Sequence, residues 1–474
     1  MLKTRFHRRQ FFHLATSAVV ITTFTQSAIP TPARGQAAIK VALPKRPARD
    51  RLEEALARIA DPNGEGARAC LTVYTDAARA AADAADARAR AGLSLGPLDG
   101  TIVSIKDLFD VAGEATRAGS KVLADAPPAK TDAPVVRRLR AAGSVIVAKT
   151  NMPEFAFSAI GANPHYGTPG NPADRSRVPG GSSSGAAVAV VDGMCEIAIG
   201  SDTGASTRTP AAFCGIVGYR PSQGRVPTEG AFPYSYTLDA IGPLARTVAD
   251  CAAADGVMAG EQFRPIEPVR LAGLRFGIPQ GSLLRNLDDT VAARFSAATA
   301  ALRKADAWLT DEPLGLLDEM TAAYRNGSFV AMEGYAIHRE LLAKKGQEYD
   351  PIARSALERG RDASAANYIA LTRERTRLVR AMDVRLEAID MIVLPTTKRV
   401  APKISEVSTL EGFLATQALL GSNTNWVSFF NLCAISLPLP REGGLPVGLM
   451  LVARNGHDHR LFRIAAAVER LFTA

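Results

Sequence analysis

Three residues have types and settings that fit acyl transfer: Lys106, Ser182 and Ser206. The two serines lie 24 positions apart in glycine-bearing turns, Gly180-Gly181-Ser182-Ser183-Ser184-Gly185 and Thr203-Gly204-Ala205-Ser206. A serine hydroxyl attacks a carbonyl poorly until a base takes its proton. A lysine can be that base when burial lowers its pKa enough to leave it neutral. A relay from Ser206 through Ser182 to Lys106 meets both demands. Tight glycine-rich turns also present successive backbone N–H groups, so Thr203, Gly204, Ala205 and Ser206 are candidate oxyanion-hole residues. A rival reading takes Gly181-Ser182-Ser183-Ser184-Gly185 as a G-x-S-x-G elbow with Ser183 as nucleophile. That pattern is short and needs His338, His457 or His459 as its base, none in an evident catalytic context.

These residues need elements to hold them. Thr101 to Lys106 alternates as a strand, with Ile102, Ser104 and Lys106 on one face. Two Ala-rich surface helices precede it between Arg51 and Gly92, and a helix over 132–142 and a strand over 144–148 follow. The Ser182 turn leads into a helix of small residues, Ala186-Ala187-Val188-Ala189-Val190-Val191, and a strand over 195–200 runs into Ser201-Asp202-Thr203. Beyond Gly260 the pattern predicts a strand over 273–278, a long helical stretch to about 390 and a strand over 391–394. Two further strands, 433–437 and 447–452, flank the turn Arg441-Glu442-Gly443-Gly444. A last helix over 458–472 lines up Leu461, Ile464, Ala465, Val468 and Phe472 as a core stripe. Strands alternating with helices predict an α/β layer structure. No internal repeat or linker divides the chain.

Composition narrows the function classes. Of 474 residues 47% are hydrophobic and 22% charged, which excludes wholesale disorder, collagen and coiled coil. The net charge of +9 could suggest a polyanion partner, yet Lys3, Arg5, Arg8, Arg9 and Arg34 supply five of those charges before residue 38, where there is no acid. Cys70, Cys195, Cys214, Cys251 and Cys433 are widely spaced without a C-x-x-C pair and read as buried thiols. His457 and His459 lack further ligands nearby, and Gly180 to Gly185 lacks the lysine of a phosphate-binding loop, so neither metal nor nucleotide cofactor is expected.

Residues 1–37 read as a targeting segment, with a basic start, a moderately apolar stretch and a small-residue ending at Gly35-Gln36-Ala37. Arg8-Arg9-Gln10-Phe11-Phe12 resembles a twin-arginine export signal, although His7 and His13 depart from its usual flanks. The stretch is too polar for a transmembrane helix. Periplasmic or exported localisation is expected, with the cytoplasm as the alternative if the segment is no signal.

From about residue 50 onward the sequence resembles the amidase signature family. Val103-Ser104-Ile105-Lys106-Asp107-Leu108-Phe109-Asp110 resembles its catalytic-lysine strand, Gly180-Gly181-Ser182-Ser183 its serine turn, and Gly200-Ser201-Asp202-Thr203-Gly204-Ala205-Ser206-Thr207-Arg208 its nucleophile loop. The resemblance implies a Ser-cisSer-Lys triad: Ser206 as nucleophile, Ser182 as bridge after a cis peptide, and Lys106 as base. It further implies backbone donors at 203–206 and supporting roles for Ser183, Asp202 and Arg208. The implied fold is a single large α/β domain over 38–474, its mixed central sheet covered by helices on both faces. Within it the signature core spans about 95–260 and a helical pocket region about 285–430. The implied reaction is hydrolysis of a small-molecule carboxamide to a carboxylate and ammonia or an amine through an acyl-enzyme. No nucleic acid and no stable membrane insertion are expected, and a homodimer is compatible. Alternatives are an amidotransferase A-subunit-like protein acting in a complex and a noncatalytic binding homologue. Ser184 and Ala205 replace family glycines; were positive φ required at 205, alanine there would cost about 1 kcal/mol or more. Phe155, Phe157, Tyr335 and Trp426 are open between pocket wall and core.

Overall fold

The computed structural model describes residues 46–441 and 443–473, so the expected export segment 1–37 lies outside the described residues. Eleven strands form one mixed sheet: β1 (Cys70–Val73), β2 (Ile102–Lys106), β3 (Val145–Thr150), β4 (Ile197–Ser201), β5 (Val217–Arg220), β6 (Ile241–Ala245), β7 (Arg275–Pro279), β8 (Trp308–Glu312), β9 (Met391–Pro395), β10 (Cys433–Pro438) and β11 (Gly448–Ala453). Their order is β1-β3-β2-β4-β6-β5-β10-β11-β9-β7-β8. β2 runs parallel to β3 and β4, and β7 parallel to β8 and β9, while the centre of the sheet is antiparallel.

The two-residue period of the strands sorts side chains to two faces. One face feeds a continuous core through Val103, Ile105, Ile197, Ile199, Ile435 and Leu451. Helices Pro134–Ala141, Val248–Ala259, Asp289–Lys304 and Asp458–Thr473 contribute to it. The other face carries two separate cores. Ile102, Val147 and Ala198 pack with helices Ala48–Ala60, Thr75–Arg90 and Ser184–Val191. Ile392, Leu394, Ala434, Met450 and Val452 pack with Leu316–Ala323, Phe329–Lys345 and Ala365–Arg385. On this same face Ser104, Lys106, Arg220 and Ser436 are buried polar side chains. The site is therefore set in a polar strip beside two apolar cores. The expected α/β architecture with helices on both faces is what forms.

Differences from the sequence reading have local causes. The expected long helical stretch is broken into helices by β8, an edge strand whose Trp308 is exposed. β5 and β6 carry Gly218, Gly242 and Pro243, residues that weaken a strand signal. Pro243 is tolerated in the interior of the sheet because β5 pairs with β6 at Ala245 and Leu244, leaving Pro243 without a ladder partner on that side. In the last helix Leu461, Ile464, Ala465 and Val468 are buried, and Phe472 is partly so. All five cysteines are buried and unpaired. Among the described residues no helix is long and apolar enough to cross a membrane.

Ile435 lies fully buried in β10, between β5 and β11. Ile435→Ala is expected to lower stability by about 2–5 kcal/mol, read from urea denaturation.

Candidate active site

Lys106 ends β2 and is completely buried. Its Nζ lies 2.7 Å from Ser182 Oγ and 2.9 Å from Ser201 Oγ. Both close partners are hydroxyls, so little offsets the loss of water around a charged ammonium. Burial brings its pKa down to about 7, with Asp202 and Asp239 pulling the other way from a distance. At neutral pH a substantial share of the amine is therefore neutral, with a lone pair able to accept a proton.

Ser182 follows a cis peptide after Gly181. The turn is wedged tightly: Gly180 has φ +81° and packs on the Pro210 backbone, and Gly181 lies against the carbonyl of Ser158 and the amide of Gly161. Side chains are excluded at both glycines. Ser183 follows as the residue before helix Ser184–Val191, and its amide donates to the Ser206 carbonyl at 3.1 Å, joining the two serine turns. Lys106 and Ser182 are shut off from solvent, whereas Ser206 retains 6% exposure. The candidate nucleophile is thus buried but not fully closed off, and the lysine amine lies deeper.

The loop from Asp202 to Arg208 is held from its buried side. Asp202 accepts from Arg208 Nη2 at 2.8 Å and Nε at 3.0 Å, and from the amide and hydroxyl of Thr207 at 3.0 Å each. Arg220 Nη1 stands 3.6 Å from the same carboxylate and donates to the Asp202 carbonyl. All three charged side chains are inaccessible to solvent. Burial alone would raise the Asp202 pKa, but Arg208 and then Arg220 outweigh it and hold the carboxyl well below the usual carboxylate range. Arg208 also donates to the carbonyls of Gly204 at 2.8 Å and Thr424 at 3.1 Å.

These bonds orient the backbone. In a trans peptide the N–H points opposite to the carbonyl. The carbonyl of Asp202 is taken by Arg220 and the Ala240 amide, that of Gly204 by Arg208, and that of Ala205 by the Thr209 amide. The amides of Thr203, Ala205 and Ser206 are therefore turned away from these buried donors. None of the amides from Thr203 to Ser206 donates a hydrogen bond within the protein among the described residues. A run of unused donors beside a serine that keeps slight exposure can receive a developing oxyanion.

A match to the sequence profile of the Amidase family spans residues 50–462. The chain belongs to the amidase family. It is 35% identical over 401 residues to 2-amino-5-chloromuconic acid deaminase of Comamonas testosteroni, covering 83% of this chain and 86% of that protein. It is 37% identical over 458 residues to the glutamyl-tRNA(Gln) amidotransferase A-subunit of Anaeromyxobacter dehalogenans, covering 88% and 92%. The native peptide amidase of Stenotrophomonas maltophilia superposes with a TM-score of 0.75 at 28% identity, covering 90% of this chain and 94% of that one. This amidase is an enzyme that hydrolyses amide C–N bonds.

Within the amidase fold the rival elbow has no base. Ser183 is fully buried and its Oγ reaches the Ser201 carbonyl at 3.4 Å. His338 bonds Tyr349, His457 stands by Arg454, and His459 is exposed, while among the described residues no histidine bonds Ser183. Nor does Ala205 carry positive-φ strain, because it is absent from the non-glycine residues with positive φ and lies buried in the apolar cluster that includes Ala159, Ile160, Val178 and Phe213. Ser184 begins the helix after the turn and also avoids positive φ. Of the aromatic candidates, Phe155 and Trp426 are core, Phe157 is buried against Tyr234 with ring centroids 4.1 Å apart, and Tyr335 is partly exposed.

Sequence reading missed four contributors. Ser201 shares Lys106, Arg220 shares Asp202, Asp239 accepts from Thr203 Oγ1 at 2.5 Å, and the exposed Asn425 lies against Gly204. Ser201 was within reach, since it directly precedes Asp202 at the end of a strand. The other three come from distant segments without a local signature.

Arg208→Leu leaves the buried Asp202 carboxylate with Arg220 alone and frees the Gly204 carbonyl. It is expected to destabilise by about 3–5 kcal/mol in chemical denaturation and to abolish amidase activity in whatever fraction stays folded.

Proposed function

We propose that this amidase cleaves a small-molecule carboxamide with Ser206 as nucleophile, Ser182 as proton bridge and Lys106 as base. The observation that carries the reading is a fully buried lysine held by hydroxyls, its Nζ 2.7 Å from Ser182 Oγ. Ser206 Oγ attacks the carbonyl carbon while its proton passes to Ser182 and the Ser182 proton to Lys106. The amides of Thr203, Gly204, Ala205 and Ser206 receive the oxyanion as it forms. The proton then returns along the same path to the leaving nitrogen, the C–N bond breaks, and an acyl-enzyme on Ser206 remains. Water attacks that ester by the same relay and releases the carboxylate. Asp202 and Arg208 act by holding the loop, and Ser201 by fixing the lysine.

The relative from Anaeromyxobacter dehalogenans gives a second reading, an A-subunit-like role in a complex. The paired Arg8 and Arg9 favour the first reading and an exported, periplasmic enzyme. Glutaminase activity that requires a second protein would move the assignment to the second.

The reading is tested by peptide mapping after reaction with an alkyl fluorophosphonate. Label is expected on Ser206, and Lys106→Ala is expected to slow labelling by about 10²–10⁴-fold with the fold intact. Label on Ser183, or none on the folded protein, would overturn it. Because the neutral amine is the active form, kcat/KM for an amide substrate should rise with pH through an inflection near 7, the value to which burial brings Lys106. A profile level from pH 5 to 9 with chemistry rate-limiting would remove lysine as the base. Export is tested separately: Arg8→Lys with Arg9→Lys should leave the protein uncleaved in the cytoplasmic fraction, and unchanged periplasmic delivery would refute the twin-arginine route.

A further inference from the structure

The Thr203 end of the nucleophile loop is held by a second carboxylate, far away in sequence. Asp239 Oδ1 accepts from Thr203 Oγ1, and its Oδ2 accepts from the amides of Tyr234 at 2.8 Å and Ser235 at 3.0 Å. The segment is further tied by the bond from the Asp202 amide to the Ala240 carbonyl at 2.7 Å. Whatever fixes residues 234–239 therefore fixes Thr203.

That role falls to Glu333, in helix Phe329–Lys345. Its carboxylate is buried, with 5% of the residue exposed, and each oxygen takes two donors. Oε2 accepts from Ser235 Oγ and from the Thr237 amide at 3.1 Å. Oε1 accepts from Thr237 Oγ1 and from Tyr368 OH at 2.7 Å, the latter carried by helix Ala365–Arg385. No arginine or lysine bonds this carboxylate among the described residues, so these four donors are what hold it. A buried acid satisfied in this way by a single loop and a second helix is a rigid joint. It connects the helical region to the loop that carries Ser206.

We propose that Glu333 is a positioning residue for the amidase reaction, acting through residues 235–239 and Asp239 on the Thr203 end of the oxyanion loop. The chain of contacts is Tyr368 and Glu333, then Ser235 and Thr237, then Asp239, then Thr203. Glu333 does not reach the reacting atoms. It rests on the reading of Ser206 as nucleophile, and deepens it by making the helical region part of the machinery that places the donors.

The test follows phosphonylation of Ser206 in the full chain by an alkyl fluorophosphonate, a reaction that draws on the same donors. Glu333→Gln removes one acceptor oxygen and is expected to lower the labelling rate at saturating probe by about ten- to a hundred-fold while leaving the half-saturating concentration within about twofold. A general structural defect would instead lower the fraction of labelled protein without changing the rate of the folded remainder. Thr203→Val removes the hydroxyl at the far end of the path, and the double variant should be no slower than the slower single one. Multiplicative losses in the double variant, or a Glu333→Gln rate equal to that of the unaltered protein, overturn the inference. Should Glu333→Gln fail to fold, Ser235→Ala, which removes one donor from the same joint, carries the same expectation and the same refutation. Failure of the underlying reading looks different: the unaltered protein itself would take no label on Ser206, and the inference would fall with it.

Discussion

The proposed chemistry depends on keeping one amine buried and able to lose its charge near neutral pH. An ammonium taken from water into an apolar interior is strongly disfavoured unless a carboxylate accompanies it. A carboxylate bonded to Lys106 would favour its charged form and make it unfit for the proposed role of base. Placing hydroxyls on either side resolves the conflict, because Ser182 and Ser201 accept from the ammonium form and can either accept from or donate to the neutral amine. The nearby acids, Asp202 and Asp239, are kept occupied by other partners. Asp202 is bound by Arg208 and Arg220, and Asp239 by Thr203 and two backbone amides.

That arrangement explains why so much charge is buried around a reaction that uses none of it directly. A buried ion pair is a poor source of stability, since the desolvation of both partners can exceed their attraction. It is a good source of geometry. The planar guanidinium of Arg208 meets both oxygens of Asp202 and the carbonyl of Gly204 at once, fixing three points of a loop without regular secondary structure. The two apolar cores on that face of the sheet supply the stability, and the polar strip between their strands supplies the precision.

The parts legible in the sequence were those written locally. Alternation in β2 put Lys106 on the face of Ser104 and Ile102, and the two serine turns carried their own glycines. β5 and β6 escaped notice because glycine and proline interrupt their alternation, yet sheet pairing stabilises them regardless. Arg220, Asp239 and Asn425 could not be found from spacing, because what makes them part of the site is tertiary contact with residues 202–204. Aromatic side chains gave no direction either: Trp426 resembled a pocket wall as much as Phe157 did, but its indole N–H is spent on the Asn423 carbonyl at 2.8 Å in the interior.

Ala205 shows how far the loop is specified by its backbone. A glycine at such a position invites the inference that positive φ is required, and alanine would then distort the donors. Here the peptide planes on either side of Ala205 are fixed from outside, by Arg208 at the Gly204 carbonyl and by the Thr209 amide at the Ala205 carbonyl. Peptide planarity converts those two anchors into the directions of the Ala205 and Ser206 N–H groups. The side chain at 205 then has to satisfy space alone, and its methyl is buried in an apolar cluster that includes Ala159, Ile160, Val178 and Phe213. Alanine is therefore accommodated where the methyl is buried, and the donor directions are preserved because the carbonyls are held.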